Sequence, residues 1–223
     1  MEPLQPAGAG DVLVGDGDSI SSIARAAGFL PDSLWDDPVN ASLKEARGSG
    51  EVLLPGDRVT VRAPRFKKLA RPTGQRHVFR KAVIPCTLCV ILQDAEGQPL
   101  AGKAYELVVG DMKLSGTTDD LGKVECTIDP TTRRGMLKVW VAEPGFPDPW
   151  ERELRLGSLH PQNCASGVQQ RLANLGFYLG SLDGQLDEET LGALAAFAAA
   201  QKMDWTGDID APLAGKLVEL HGV

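Results

Sequence analysis

Residues from Ala165 to Val223 constrain the fold more than any other stretch, because they read as a complete small helical unit with its own caps, turns and core. Ser166 precedes Val168, Leu172 and Leu175 at helical spacing, Gln169 stands where a capping box wants it, and Gly176 follows as a stop. The grammar repeats: Asp187 caps a second helix, Glu188 and Glu189 favour its positive end, and Leu191, Leu194, Ala195 and Phe197 form its apolar stripe. A third helix starts at Asp210. Between the first two lies Gly180-Ser181-Leu182-Asp183-Gly184, rich in residues that tolerate unusual backbone angles.

Ser166-Gly-Val-Gln-Gln-Arg-Leu-Ala-Asn-Leu-Gly-Phe-Tyr, Leu182-Asp183-Gly184, Thr190-Leu191-Gly-Ala-Leu194-Ala-Ala-Phe197 and Thr206-Gly207 together resemble the three-helix peptidoglycan-binding domain. Where members of that family commonly carry Gly-Pro and Gln, this chain has Asp187-Glu188 and Ala198. Leu175, Phe177, Leu194 and Phe197 are expected to be core.

At the other end, Val14-Gly-Asp-Gly-Asp18-Ser19-Ile20-Ser-Ser-Ile23-Ala24 reads as a short strand turning into a capped helix that ends at Gly28. A helical piece after Pro31 and a turn at Pro55-Gly56 into Val59-Thr-Val61 complete the order strand, helix, helix, strand. Gly17-Asp18-Ser19-Ile20, Ser22-Ile23-Ala24, Asn40 and Leu54-Pro55-Gly56-Asp57 resemble the LysM module. Carried over by position, its N-acetylglucosamine groove implies Gly17, Asp18, Ser19 and Ile20 opposite Leu53, Leu54 and Pro55. The bland reading keeps Asp18 and Ser19 as helix caps and Pro55-Gly56 as a turn. The long Ser33–Arg47 segment resembles the LysM variant of type VI secretion proteins.

The middle, from about His77 to His160, gives strand signals at Leu88–Leu92, Tyr105–Val109, Lys123–Ile128 and Met136–Val141, an expected antiparallel sandwich. Leu92-Gln-Asp94-Ala-Glu-Gly97-Gln-Pro99-Leu100-Ala-Gly102 and Gly116-Thr-Thr118-Asp119-Asp-Leu-Gly122 are similar to transthyretin-like or carboxypeptidase-regulatory-like immunoglobulin-type domains. That resemblance implies a spacer or docking surface, with Trp140, Phe146 and Trp150 as core or as an exposed contact patch.

A net charge of -7 argues against a nucleic-acid binder. It is unevenly spread, for Arg65 to Lys81 holds seven Lys or Arg with no Asp or Glu before Asp94. The run reads as a solvated linker, or as a stretch steering toward an acidic partner or envelope phosphates through cations such as Arg65, Lys67 and Lys68. Neither a secretory signal after Met1-Glu2-Pro3 nor a membrane span is read from the pattern. Wall-type modules without an ordinary export signal imply a cytoplasmic protein delivered to the periplasm or outside by a contractile machine.

No catalytic constellation holds together. His77, His160 and His221 fall in expected linker or terminal positions, and neither a His-Glu-x-x-His helix nor a Gly-x-Ser-x-Gly elbow occurs. Cys86 and Cys89 lie three apart on an expected strand, hence on opposite faces and poorly set for one metal. With Cys126 and Cys164 they are expected to be buried or half-buried thiols, a disulfide between two of them remaining open.

The expectation is therefore a multi-domain α+β chain without cofactor or metal: a small βααβ LysM-like domain at 1–64, a basic linker at 65–81, an antiparallel immunoglobulin-like β-sandwich at 82–161 and a three-helix domain at 162–223. The expected function is a non-enzymatic accessory or adaptor protein of a type VI-like secretion system, with peptidoglycan glycan chains and a spike or effector protein as partners. A cell-wall hydrolase or toxin and a pure protein-interaction scaffold are the alternatives.

Overall fold

Residues between 86 and 155 fold into six antiparallel strands, and the helical periodicities at either end fold as helices, in a computed structural model that describes residues 4–65, 68, 70–78, 86–94, 96–141 and 149–222. In chain order the elements are β1 (Val12–Leu13), α1 (Ile20–Ala27), α2 (Pro31–Trp35), a 3-10 turn (Pro38–Asn40), α3 (Ala41–Arg47), β2 (Arg58–Val59), β3 (Cys86–Ile91), β4 (Ala104–Val109), β5 (Met112–Thr117), β6 (Lys123–Ile128), β7 (Arg134–Trp140), β8 (Trp150–Arg155), α4 (Ala165–Asn174), α5 (Glu188–Ala200) and α6 (Ala211–His221). Backbone packing divides the chain into two compact units, one built from residues within 1–20, 34–60 and 158–223, the other from residues within 21–33 and 61–157. No helix among the described residues is long and apolar enough to cross a membrane.

In the first unit, α4, α5 and α6 bury Val168, Leu172, Leu194, Phe197, Leu213 and Leu217 in one core, with Phe177 edge-on to Phe197 at 5.4 Å between ring centroids. Each fully buried Leu or Phe contributes about 1.5–3 kcal/mol relative to exposure. Asp187 accepts from Thr190 N–H at 2.8 Å and Asp210 from Leu213 N–H at 2.9 Å, the two caps expected from the sequence. Gly176, at φ +81, ends the α4 segment. Ala195 is only half-buried and Ala193 and Ala198 take core positions, a shift of the expected stripe by a fraction of a turn.

The start of α4 differs from expectation. Its N-cap is Cys164, not Ser166, and Cys164 makes no side-chain capping bond. The physical reason is a crossing: residues 160–161 pass so close to α4 that a Cβ on Gly167 would lie 2.0 Å from the Pro161 carbonyl oxygen. Ser166 Oγ is taken up by His160 Nδ1 at 2.8 Å, and Cys164 Sγ donates to Pro161 O at 3.0 Å.

At the N-terminal end, β1 and β2 pair antiparallel with Val12 opposite Val59 and Leu13 opposite Arg58. Between them the expected two helices are three plus a 3-10 turn, because Pro31–Arg47 breaks at Pro38, where Asp37 accepts from Val39 N–H at 3.1 Å. Buried Asn40 then ties the piece together. Its Nδ2 donates to Leu34 O and Thr60 O, each at 3.0 Å, and its Oδ1 accepts from Thr60 N–H at 2.8 Å.

The second unit holds two antiparallel sheets, β3-β6 and β5-β4-β7-β8. Leu107, Val109, Leu137 and Val139 of the larger sheet and Val124 of the smaller share one core, with Leu88 and Val90 packed against it. β5 and β8 were not legible as strands. Lys113, Ser115, Glu151 and Glu153 alternate onto a charged face, and β5 and β8 form the two edges of their sheet. That face is laced by Lys138–Glu151 at 2.6 Å, Lys113–Glu106 at 2.8 Å and Arg134–Glu153 at 3.4 Å. Exposed pairs of this kind contribute roughly 0–1 kcal/mol each.

The turn residues act as the sequence implies. Asp94 accepts from Glu96 and Gln98 N–H, Asp119 from Leu121 and Lys123 N–H. Buried Thr118 donates through Oγ1 to Leu100 O at 2.5 Å and accepts from Lys103 N–H at 2.9 Å, closing the bend of Pro99-Leu100 onto the hairpin. All four cysteines are free. Cys89 is exposed rather than buried, because alternation along β3 turns it outward with Thr87 and Ile91.

Candidate functional site

The most organised polar feature of the chain is centred on Gln169, one residue past Val168 on the inward side of α4 and fully removed from solvent. Its amide nitrogen donates to Gln185 O at 2.8 Å and Thr190 Oγ1 at 3.0 Å, and its oxygen accepts from Gly184 N–H at 2.8 Å. Tyr178 completes the set, its hydroxyl donating to Ser181 O at 2.9 Å. One buried amide thus fastens both ends of the connection between α4 and α5. An amide inside a core must find such partners, since leaving them unmade costs about 1–3 kcal/mol each. Thr190 also donates to Asp187 from its backbone and hydroxyl, and these bonds hold the Asp187 carboxyl below the ordinary carboxylate range.

The loop so fastened turns its apolar side chains outward. Leu179 is 93% exposed and Leu182 41%, on either side of Gly180, whose Cβ would collide with Tyr178 Oη at 2.6 Å. A fixed backbone carrying outward aliphatic groups beside Asp183 suits contact with a ligand that has apolar faces and polar edges. Sequence reasoning placed Gln169 in a capping box and missed this role. The available signal was a polar residue on the apolar stripe between Val168 and Leu172.

Beneath α4 the polar groups differ in character. Arg171 is buried, donating to His160 O at 2.8 Å and Gly167 O at 2.9 Å, and burial pulls its guanidinium down to about 10. Burial likewise lowers the His160 imidazole from its ordinary value, with Asp16 opposing the shift and Arg171 adding to it. Among the described residues no group of three or more His, Cys, Asp or Glu could hold a metal ion.

The residues singled out near the N-terminus are brought together on paired loops. Val14 N–H donates to Asp57 O at 2.8 Å, Gly56 N–H to Val14 O at 2.9 Å and Ile20 N–H to Gly50 O at 2.8 Å, so the loop entering α1 and the loop before β2 run side by side. Gly17, Ser19, Ile20 and Leu53 are buried, Asp18 and Leu54 half-buried and Pro55 exposed. Asp18 Oδ2 accepts from Gly15 N–H at 3.0 Å. Among the expected docking residues, Trp140 and Trp150 are 39% and 48% exposed, at the end of β7 and the start of β8, and Arg65 and Lys68 are exposed. Phe146 and Lys67 lie outside the described residues.

Residues 166–217 match the family model of a peptidoglycan binding domain, a span that runs from the first turn of α4 to the buried Leu217 of α6 and includes the whole Gln169 network. No curated protein matches the chain, and neither does any solved structure.

Proposed function

We propose that this chain is a non-catalytic, wall-directed accessory protein that holds peptidoglycan through its C-terminal helices and docks a protein partner through its antiparallel sheets. The observation that carries the reading is the family match over residues 166–217, on the same segment where Gln169 fixes a loop bearing Leu179 and Leu182 outward. Aliphatic side chains cover the C–H face of a sugar ring while backbone groups and Asp183 pair with hydroxyl or acetamido groups.

The LysM-like pieces are a second, smaller contact in this proposal. Glycan at the paired loops meets backbone, Asp18, Leu54 and Pro55, because Ile20 and Leu53 are committed to packing. The partner is proposed to be a spike or effector of a contractile, type VI-like secretion machine, a reading supported by the likeness of Ser33–Arg47 to the LysM variant of such systems and by the exposed Trp140 and Trp150. In that setting the chain is cytoplasmic before export and is carried out with its cargo.

Cosedimentation with purified sacculi tests the first claim, with muropeptide release read in the same tubes. Retention without release is the expected result. Release of muropeptides marks a hydrolase instead, and absence from the pellet together with a stable spike complex in pull-down marks a scaffold with repurposed wall folds.

A further inference from the structure

Between Asp57 and Asp94 the sequence holds nine Lys or Arg and no Asp or Glu, in a chain whose net charge is -7. Between β2 and β3 the described residues within 62–78 are exposed coil with one turn at Thr73–Gln75. Arg65, Lys68, Arg71 and Arg76 are all exposed, and none of them is ion-paired among the described residues. Lys44, Lys113, Lys123, Arg134 and Lys138, by contrast, each have a carboxylate partner.

We infer that this segment is an electrostatic contact for an anionic polymer of the cell wall, engaging repeated carboxylate or phosphate oxyanions. Arg65, Arg71 and Arg76 carry a planar fork that pairs with both kinds of oxyanion in bidentate geometry. A polymer is favoured over a folded acidic protein by form. Arg65, Lys68, Arg71 and Arg76 sit on irregular backbone at uneven intervals, which suits a ligand whose charges repeat and need no fixed register, as in charge-driven binding to polyelectrolytes. A docking site for a folded partner would instead hold its charges on a rigid element around a buried anchor.

The inference rests on the wall-binding reading and deepens it. A weak helical contact and a weak ionic contact on one chain reinforce each other through effective concentration, even where neither holds alone. Long-range attraction of this sort is screened by salt over about 8 Å at physiological ionic strength, whereas a packed sugar contact is not. Ionic strength therefore separates the two.

The experiment is sacculus cosedimentation of the full chain and of the R65Q/K68Q/R71Q/R76Q variant from 25 to 500 mM NaCl, roughly the span over which screening becomes complete. Sacculi are used before and after acid removal of phosphodiester polymers. Wild type is expected to bind more weakly as salt rises, and the variant to bind about tenfold more weakly at low salt with a much flatter salt dependence. Loss of the difference on stripped sacculi assigns the phosphates, and its persistence assigns the stem-peptide carboxylates. Equal binding of the two proteins at every salt overturns the inference and leaves the wall reading standing. Binding of neither protein at low salt overturns both. If the variant loses capture of an acidic protein while its sacculus binding is unchanged, the segment reads protein and the inference is wrong.

Discussion

Arg47 and Asp57 form a two-pronged ion pair with both side chains out of solvent, Nε to Oδ2 at 2.7 Å and Nη2 to Oδ1 at 2.6 Å. Both make further bonds. Asp57 accepts from Ala7 N–H at 2.8 Å and Leu54 N–H at 2.9 Å, and Arg47 donates to Gln5 O at 2.8 Å. One carboxylate thus joins the chain's beginning, the end of α3 and the turn before β2. Removing one partner leaves the other charge buried alone. Asp57→Asn or Arg47→Met is expected to cost about 3–5 kcal/mol in urea unfolding, while replacing both with apolar residues costs clearly less. Equal losses for single and double replacements would show that the pair does not act as a pair.

Gln169→Leu keeps the approximate volume but strands Gly184 N–H and removes the amide donor to Gln185 O and Thr190 Oγ1. A loss of about 1–3 kcal/mol is expected, with faster hydrogen exchange at Gly184 and Gln185 and α4 otherwise protected. Sacculus binding should fall with the loop's order. If exchange is unaltered, the amide does not fasten the loop.

Two helical glycines predict opposite outcomes. Gly192 in α5 has nothing within 4 Å of an added Cβ, so Gly192→Ala should stabilise by roughly 0.8–1.0 kcal/mol through helix propensity. Gly167→Ala has the same propensity gain but would put its Cβ 2.0 Å from Pro161 O. The backbone of residues 160–161 must move, at a cost of about 1–3 kcal/mol or more. Thermal melts of the two variants, shifting in opposite directions, check the crossing.

Acid should loosen the C-terminal helices. Burial lowers both His160 and His221 from the ordinary 6.5, and the Arg171 guanidinium adds to each shift, while Asp16 opposes it at His160. His221 Nε2 meets Asn174 Nδ2 at 2.9 Å, and its Nδ1 is buried without a partner among the described residues. A histidine whose folded value is depressed takes up its proton more readily when unfolded. Stability is therefore full above about pH 6.5 and declines as pH falls through and below that value. The urea midpoint of wild type should drop from pH 8 to pH 5, and less so in a His160→Gln/His221→Gln variant. A flat profile would contradict the burial.

What the sequence disclosed followed from local rules. Asp187 and Asp210 were legible as caps because a cap needs only its own first turn, and Gly28 and Gly176 as stops because positive φ is a one-residue demand. Cys164 as N-cap was not, since the crossing of His160-Pro161 over Gly167 sets the start of α4 and leaves no trace in residue pattern. Gln169 was misread for the same reason: its partners lie at Gly184, Gln185 and Thr190, beyond any helical window. β8 was hidden because Trp150-Glu-Arg-Glu-Leu-Arg alternates charge rather than apolar groups, as an edge strand can. The paired N-terminal loops were found, but a one-dimensional pattern cannot say that Ile20 and Leu53 are used up in packing.

The shape of residues 178–185 is borrowed. Gly184, Gln185 and Tyr178 take their positions from an amide on a different segment, so an excised octapeptide would carry the letters without the form. Any transplant of this surface onto another scaffold has to bring α4 along with it.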